Sequence, residues 1–155
     1  PPREVYSSVE WPVIILLASV IPLGAALESN GTTEIIVQIL TKYASSMEPW
    51  LIIAIIMIIT MTLSDILNNT ATTLVIAPIS IQLAQTLNLN TDTFLMAVAV
   101  SASCAFLTPI GHKNNTIILG PGGYRFGDYW RMGLVLEVLI IITSIPLLLI
   151  FWPIN

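Results

Sequence analysis

Charge is what this sequence has least of. Only 9% of its 155 residues are Asp, Glu, Lys or Arg, against 55% hydrophobic, and the mean hydropathy is +0.89. A soluble domain carries about 25% charged residues, so a water-soluble globule is excluded and an integral membrane protein is expected. The five Lys and Arg residues are scattered and the net charge is −4. With no basic run, a nucleic-acid or other polyanion partner is excluded. The lone cysteine, Cys104, sits in Ser101-Ala-Ser-Cys-Ala-Phe106 and reads as a small packing residue, not a redox or metal centre. No Ser-His-Asp, Cys-His or metal-ligand cluster is spaced for catalysis, and Gly120-Pro-Gly-Gly123 lacks the Lys-Ser/Thr of a P-loop. An enzyme is therefore not expected. Nor is a signal peptide, because Glu4 and Glu10 precede the first apolar run; the chain reads as beginning where a preceding segment ends.

Hydrocarbon is what the sequence has in quantity. A bilayer core needs roughly 20 helical residues to cross it. After a cytoplasmic lead-in, 1–10, residues 11–28 and 129–152 meet that length and predict two spans. Residues 34–43 read as a short amphipathic helix at the interface. Between them lie three apolar runs, Trp50–Leu63, Leu74–Leu87 and Phe94–Leu107. At about 14 residues, or about 21 Å of helix each, they are too short to span. Short apolar runs interrupted by Gly, Pro and polar residues mark the broken helices of secondary transporters. We therefore expect 50–87 to be a re-entrant helical hairpin and 94–120 a single helix unwound in its middle. Two ordinary spans joined by an external polar loop are the alternative for the hairpin. Placing Arg3, Arg125 and Arg131 in the cytoplasm and Lys42 outside satisfies the positive-inside rule.

The polar residues gather at two places. Ser64-Asp-Ile-Leu-Asn-Asn-Thr70 forms the hairpin tip, and Thr108-Pro-Ile-Gly-His-Lys-Asn-Asn-Thr116 the break. Asn68, Asn69 and Thr70 suit the start of the second arm, where free N–H groups and the helix dipole favour an anion. Asn114, Asn115 and Thr116 repeat that pattern where the broken helix restarts. All six are candidate substrate contacts, with satisfied caps as the plainer reading. Lys113 is a candidate countercharge for a divalent anion, and His112 a further substrate contact or proton relay. Ser64 and Asp65 fall at the negative end of the first arm, where a carboxylate calls for a cation. Unwound carbonyls from Thr108 to Gly111 offer oxygen ligands of the kind that hold Na⁺. Ser64, Asp65, Thr108 and Gly111 are thus candidate cation contacts. Asp65 hydrogen-bonding the hairpin's own backbone is the alternative. Glu137, inside the last span, is expected to pair with a neighbouring helix.

"SDILNNTATTLVIAPI" and "AFLTPIGHKNNTIILGPGGYRFGDYWRMG" resemble the C-terminal half of the divalent-anion/sodium symporter family, over essentially the whole chain. The resemblance implies an all-α integral membrane fold: the second of two inverted repeats of a secondary transporter. It further implies a re-entrant hairpin tipped by Ser-Asn-Thr and a discontinuous transmembrane helix. Asn68, Asn69 and Thr70 would occupy the Ser-Asn-Thr positions. Ser64 would match a hydroxyl, and Gly111 a carbonyl, that bind the second Na⁺; the implied Na⁺ ligands are Ser64, Asn69 and Gly111, within a cation-binding set of Ser64, Asp65, Asn69, Thr108 and Gly111. Asn68 in place of Ser, and His112-Lys113 in place of Thr-Pro, point from citrate or succinate towards a tetrahedral oxyanion such as sulfate. The implied partners are a small anion, the plasma-membrane bilayer, the N-terminal repeat and a second copy in a homodimer. Na⁺ is the coupling ion and no other cofactor is expected. The rival readings are a proton-coupled carrier or Na⁺/H⁺ antiporter using Asp65 and His112, and a non-transporting membrane fragment.

Overall fold

A computed structural model of the chain describes residues 29–44 and 46–154, with a few positions between 14 and 26. The expected lead-in, 1–10, and most of the expected first span, 11–28, lie outside the described residues. Among the described residues the ordered elements are all helical: α1 Thr32–Ala44, α2 Pro49–Ile66, α3 Asn69–Thr86, α4 Thr91–Ala102, α5 Lys113–Leu119, a single 3₁₀ turn Phe126–Asp128, and α6 Tyr129–Phe151.

The arms of the hairpin are longer than their apolar runs. α2 and α3 each have 18 residues, or about 27 Å, because Ser64, Asp65 and Asn69–Thr73 are helical. Away from water the backbone must satisfy itself, and helix is the local way to do so. This corrects the 14-residue estimate, so the length of the apolar runs does not by itself tell a re-entrant hairpin from two spans. Only Leu67 and Asn68 connect the arms, and Asn68 caps α3 by accepting from Ala71 N at 2.7 Å. α3 stops just as sharply. Asn88 takes φ +55°, Asn88 N donates to Gln85 O and Leu89 N to Ala84 O. These paired bonds satisfy the last carbonyls of the helix and turn the chain directly into α4.

α4 is the hub, packing chiefly on α3 and α2 and also on α6. Its inner face is Phe94, Ala97, Val98, Ser101 and Ala102, all at most 2% exposed. Small residues four apart, Ala97 and Ser101, let neighbouring helices approach closely. Ile53, Met57, Thr60, Met61 and Ser64, on one face of α2, are buried with them.

Three polar contacts fix how this layer lies against α6. Thr93 Oγ1 donates to Trp152 O (2.9 Å), Phe106 N to Glu137 Oε1 (3.3 Å), and the Tyr129 hydroxyl to Asn115 O (2.8 Å). Their order is antiparallel: α4, the irregular stretch 103–112 and α5 follow α6 from its end back to its start. Glu137 is about 12 Å from the Tyr129 end of a helix about 35 Å long. The break therefore lies within the length of α6. Outside this contact line α6 is mostly apolar and open, with Val135, Ile142, Ile150 and Phe151 more than half exposed. Such a surface faces lipid or further protein.

Phe94, fully buried in α4, gives the direct test of this hub. Phe94→Ala should lower stability by about 3–5 kcal/mol, measured as chemical or thermal unfolding in detergent. An unchanged midpoint would contradict the packing.

Candidate functional site

The site forms where the C-terminus of α2 meets the break. A helix end leaves carbonyls without intrahelical partners, and the break leaves both amides and carbonyls. Each supplies what the other lacks. Asp65 Oδ1 accepts from Leu107 N (3.0 Å) and Thr108 N (3.2 Å), and Asp65 O accepts from Thr108 Oγ1 (2.7 Å). The Thr108 hydroxyl in turn accepts from Ile110 N and Gly111 N, both at 3.2 Å. One carboxylate and one hydroxyl thus satisfy four successive irregular N–H groups around Pro109. Asp65 bonds the backbone of the break, not that of its own hairpin. Its second oxygen, Oδ2, is buried without a hydrogen-bond partner among the described residues.

Beside this brace, oxygens converge. Ser64 Oγ donates to Ala102 O at 2.6 Å. The Asn69 side chain reaches Ser64 Oγ (2.9 Å), Ala102 O (3.1 Å) and Gly111 O (3.2 Å), and with its amide nitrogen facing them its two N–H groups are shared among these three acceptors. Turned the other way, its oxygen lies 2.9 Å from the Ser64 hydroxyl, which can donate to it, and stands with the Ala102 and Gly111 carbonyls, an oxygen cluster that a cation would satisfy. Gly111 is required for the approach: a Cβ there would lie 2.6 Å from Ala105 Cβ and 3.0 Å from Ser64 O.

The structure therefore divides the expected cation set. Ser64, Asn69 and Gly111 meet at one point, while Asp65 and Thr108 form the neighbouring brace. The Ala102 carbonyl was not anticipated. Its signal was available only as the last carbonyl of a helix that ends at Ala102, where an unpaired acceptor is general.

The expected anion contacts divide too. Asn69 opens α3 and stands against Gly111, two residues before α5 begins, so the two restarts are neighbours. Asn68 is occupied as the cap of α3, and His112 Nδ1 accepts from Asn114 N at 3.4 Å as the cap of α5. Asn115 Nδ2 donates to Ala105 O and Thr108 O, both at 3.3 Å, and Thr116 Oγ1 donates to Pro109 O. Both residues are spent on holding the break. Thr70 is partly exposed at the start of α3, and Lys113 and Asn114 are exposed at the start of α5. A cleft of about 400 Å³ between α5 and α6 is lined mainly by Phe106, Ile118, Met132 and Leu136; its hydrocarbon wall does not suit an anion.

An apolar helical layer in which the polar groups of a hairpin tip and a helix break meet is the arrangement of a transporter segment. Comparison with known proteins makes the class specific. The family model described as a citrate transporter matches residues 1–154, and the chain belongs to that family. It is 37% identical to an uncharacterised transporter of Synechocystis over 99% of this chain and 25% of the relative. It is 30% identical to an uncharacterised transporter of Escherichia coli over 97% of this chain and 25% of the relative. A sodium-dependent dicarboxylate transporter of Staphylococcus saprophyticus shares 27% identity over 92% of this chain and 27% of its own length. The chain thus spans about a quarter of the length of these relatives.

Two substitutions test the junction in the full-length transporter. Gly111→Ala should abolish transport with membrane insertion retained, because the added Cβ separates tip and break. Asn68→Ser, which keeps a good helix cap, should retain at least half the activity. Full activity in the first, or none in the second, would contradict these assignments.

Proposed function

We propose that this chain is the second inverted repeat of a secondary active transporter that moves a small divalent anion, sulfate or a dicarboxylate, with Na⁺ by alternating access. The observation that carries the reading is the convergence of Ser64 Oγ, Asn69, Ala102 O and Gly111 O. Na⁺ at that point would replace the Asn69 amide protons as the partner of the carbonyls, with Asn69 presenting its oxygen. Asn69 belongs equally to the start of α3, where the dipole and free N–H groups of an 18-residue helix favour an anion. Thr70 and Asn114 offer hydrogen bonds there, and Lys113 part of the countercharge. One side chain then serves both ions. The family's description as citrate transporters and the name of the sodium-dependent dicarboxylate relative support the ion classes.

The geometry also supports re-entry. The tip at Ser64–Asn69 is level with the break, about 6–12 Å inside the Tyr129 end of α6, and arms of about 27 Å lead from there towards the Trp152 end. The hairpin therefore enters from the Trp152 side and stops within the bilayer of the plasma membrane. The remaining partners in this reading are the N-terminal repeat, which supplies the other half of the site, and a second copy of the carrier.

Proton coupling is the second reading. It is favoured by the two buried carboxyls, Asp65 and Glu137, that accept from successive amides of the break. Uptake of labelled sulfate and succinate by the full-length carrier in proteoliposomes separates the two. With Na⁺ replaced by choline at fixed pH, uptake should fall at least tenfold, and Ser64→Ala should flatten the Na⁺ dependence. Uptake indifferent to Na⁺ but faster at lower pH would replace sodium by the proton.

A further inference from the structure

One face of α6 is directed at the break. Tyr129, Gly133 and Glu137 are spaced four apart, hence on one side of the helix, and each meets a different part of the interrupted element. The Tyr129 hydroxyl donates to Asn115 O in α5. Gly133 brings α6 so close that a Cβ would lie 2.3 Å from Phe106 O and 3.0 Å from Leu107 N. Glu137, 7% exposed, accepts from Phe106 N through Oε1. The next two amides, Leu107 and Thr108, are those held by Asp65 from the opposite side. Three successive N–H groups are thus gripped by two buried carboxyls, one on α2 and one on α6. The stretch so held leads from Ala102 to Gly111, whose carbonyls meet Ser64 and Asn69.

We propose that Glu137 is a positioning residue of the coupling site: through Phe106 N, the α6 stripe sets the register of the break and so holds the Ala102 and Gly111 carbonyls at the hairpin tip. Glu137 touches neither anion nor cation. What it supplies is an acceptor at a fixed point, which Gln also offers and Ala does not. The cation consequence rests on the sodium reading above; the register itself does not.

The test uses the full-length carrier in proteoliposomes, comparing wild type, Glu137→Ala and Glu137→Gln. Glu137→Ala should raise the Na⁺ concentration for half-maximal uptake at least fivefold, with anion KM at saturating Na⁺ within twofold of wild type. Glu137→Gln should return the Na⁺ requirement to within twofold. Hydrogen–deuterium exchange of a peptide covering 103–112 is read in parallel: faster in Glu137→Ala, near wild type in Glu137→Gln. If the wild-type carrier proves indifferent to Na⁺, the sodium reading fails and exchange alone decides the register claim. An unchanged Na⁺ requirement in Glu137→Ala of a Na⁺-driven carrier, unchanged exchange, or equal defects in Ala and Gln would overturn the proposal. Should Glu137→Ala not fold, Tyr129→Phe decides: it loses only the bond to Asn115 O and should raise the Na⁺ requirement at least twofold, and no change would overturn it.

Discussion

Everything in this chain turns on satisfying backbone groups where there is no water. An unpaired amide in hydrocarbon costs several kcal/mol, so a membrane helix can be interrupted only where side chains take over its hydrogen bonds. Here Asp65 and Glu137 hold Phe106, Leu107 and Thr108 N, while Asn115 holds the carbonyls of Ala105 and Thr108. The two buried carboxyls of an otherwise apolar layer, Asp65 and Glu137, are both spent on this task. Without them the stretch 103–112 would have no reason to stay open at that depth.

Opening the helix has a functional return, because it frees Ala102 O and Gly111 O to face the hairpin tip. Small residues then decide how near the two pieces come. Gly111 brings the break against Ser64 and Asp65, and Gly133 brings α6 against Phe106. In the proposed carrier the result is an oxygen cluster next to the start of α3, so cation and anion share Asn69. Coupling then needs no long-range pathway: an ion that orders the Asn69 side chain and Gly111 also orders the helix start beside them.

Much of this was legible in the chain itself. The apolar runs and their interruptions located α2 to α6, and the family resemblance drew attention to Ser64, Asn69 and Gly111, which the fold brings together. The extent of α2 and α3 was not legible, because Ser64, Asp65 and Asn69–Thr73 have modest helix propensity in water and become helical only in an environment that forbids unpaired backbone. Asn115 and Thr116 looked like a second anion cap, but Pro109 leaves carbonyls nearby that compete for the same side chains. Glu137 was visible as a buried acid, and its partner was not: an amide 31 positions away leaves no trace in local spacing. Backbone ligands such as Ala102 O are invisible for the same reason, since any residue type can supply a carbonyl.

The central claim is that one junction serves both ions, and reciprocity tests it most directly. If the cation orders the tip that the anion binds, Na⁺ must tighten anion binding by the same factor by which the anion tightens Na⁺ binding. Calorimetric titration of the full-length carrier with sulfate or succinate, across a series of Na⁺ concentrations at fixed ionic strength and pH, measures the first factor. The reverse titration measures the second. The account predicts two equal factors of at least tenfold; an anion affinity that ignores Na⁺ would contradict it.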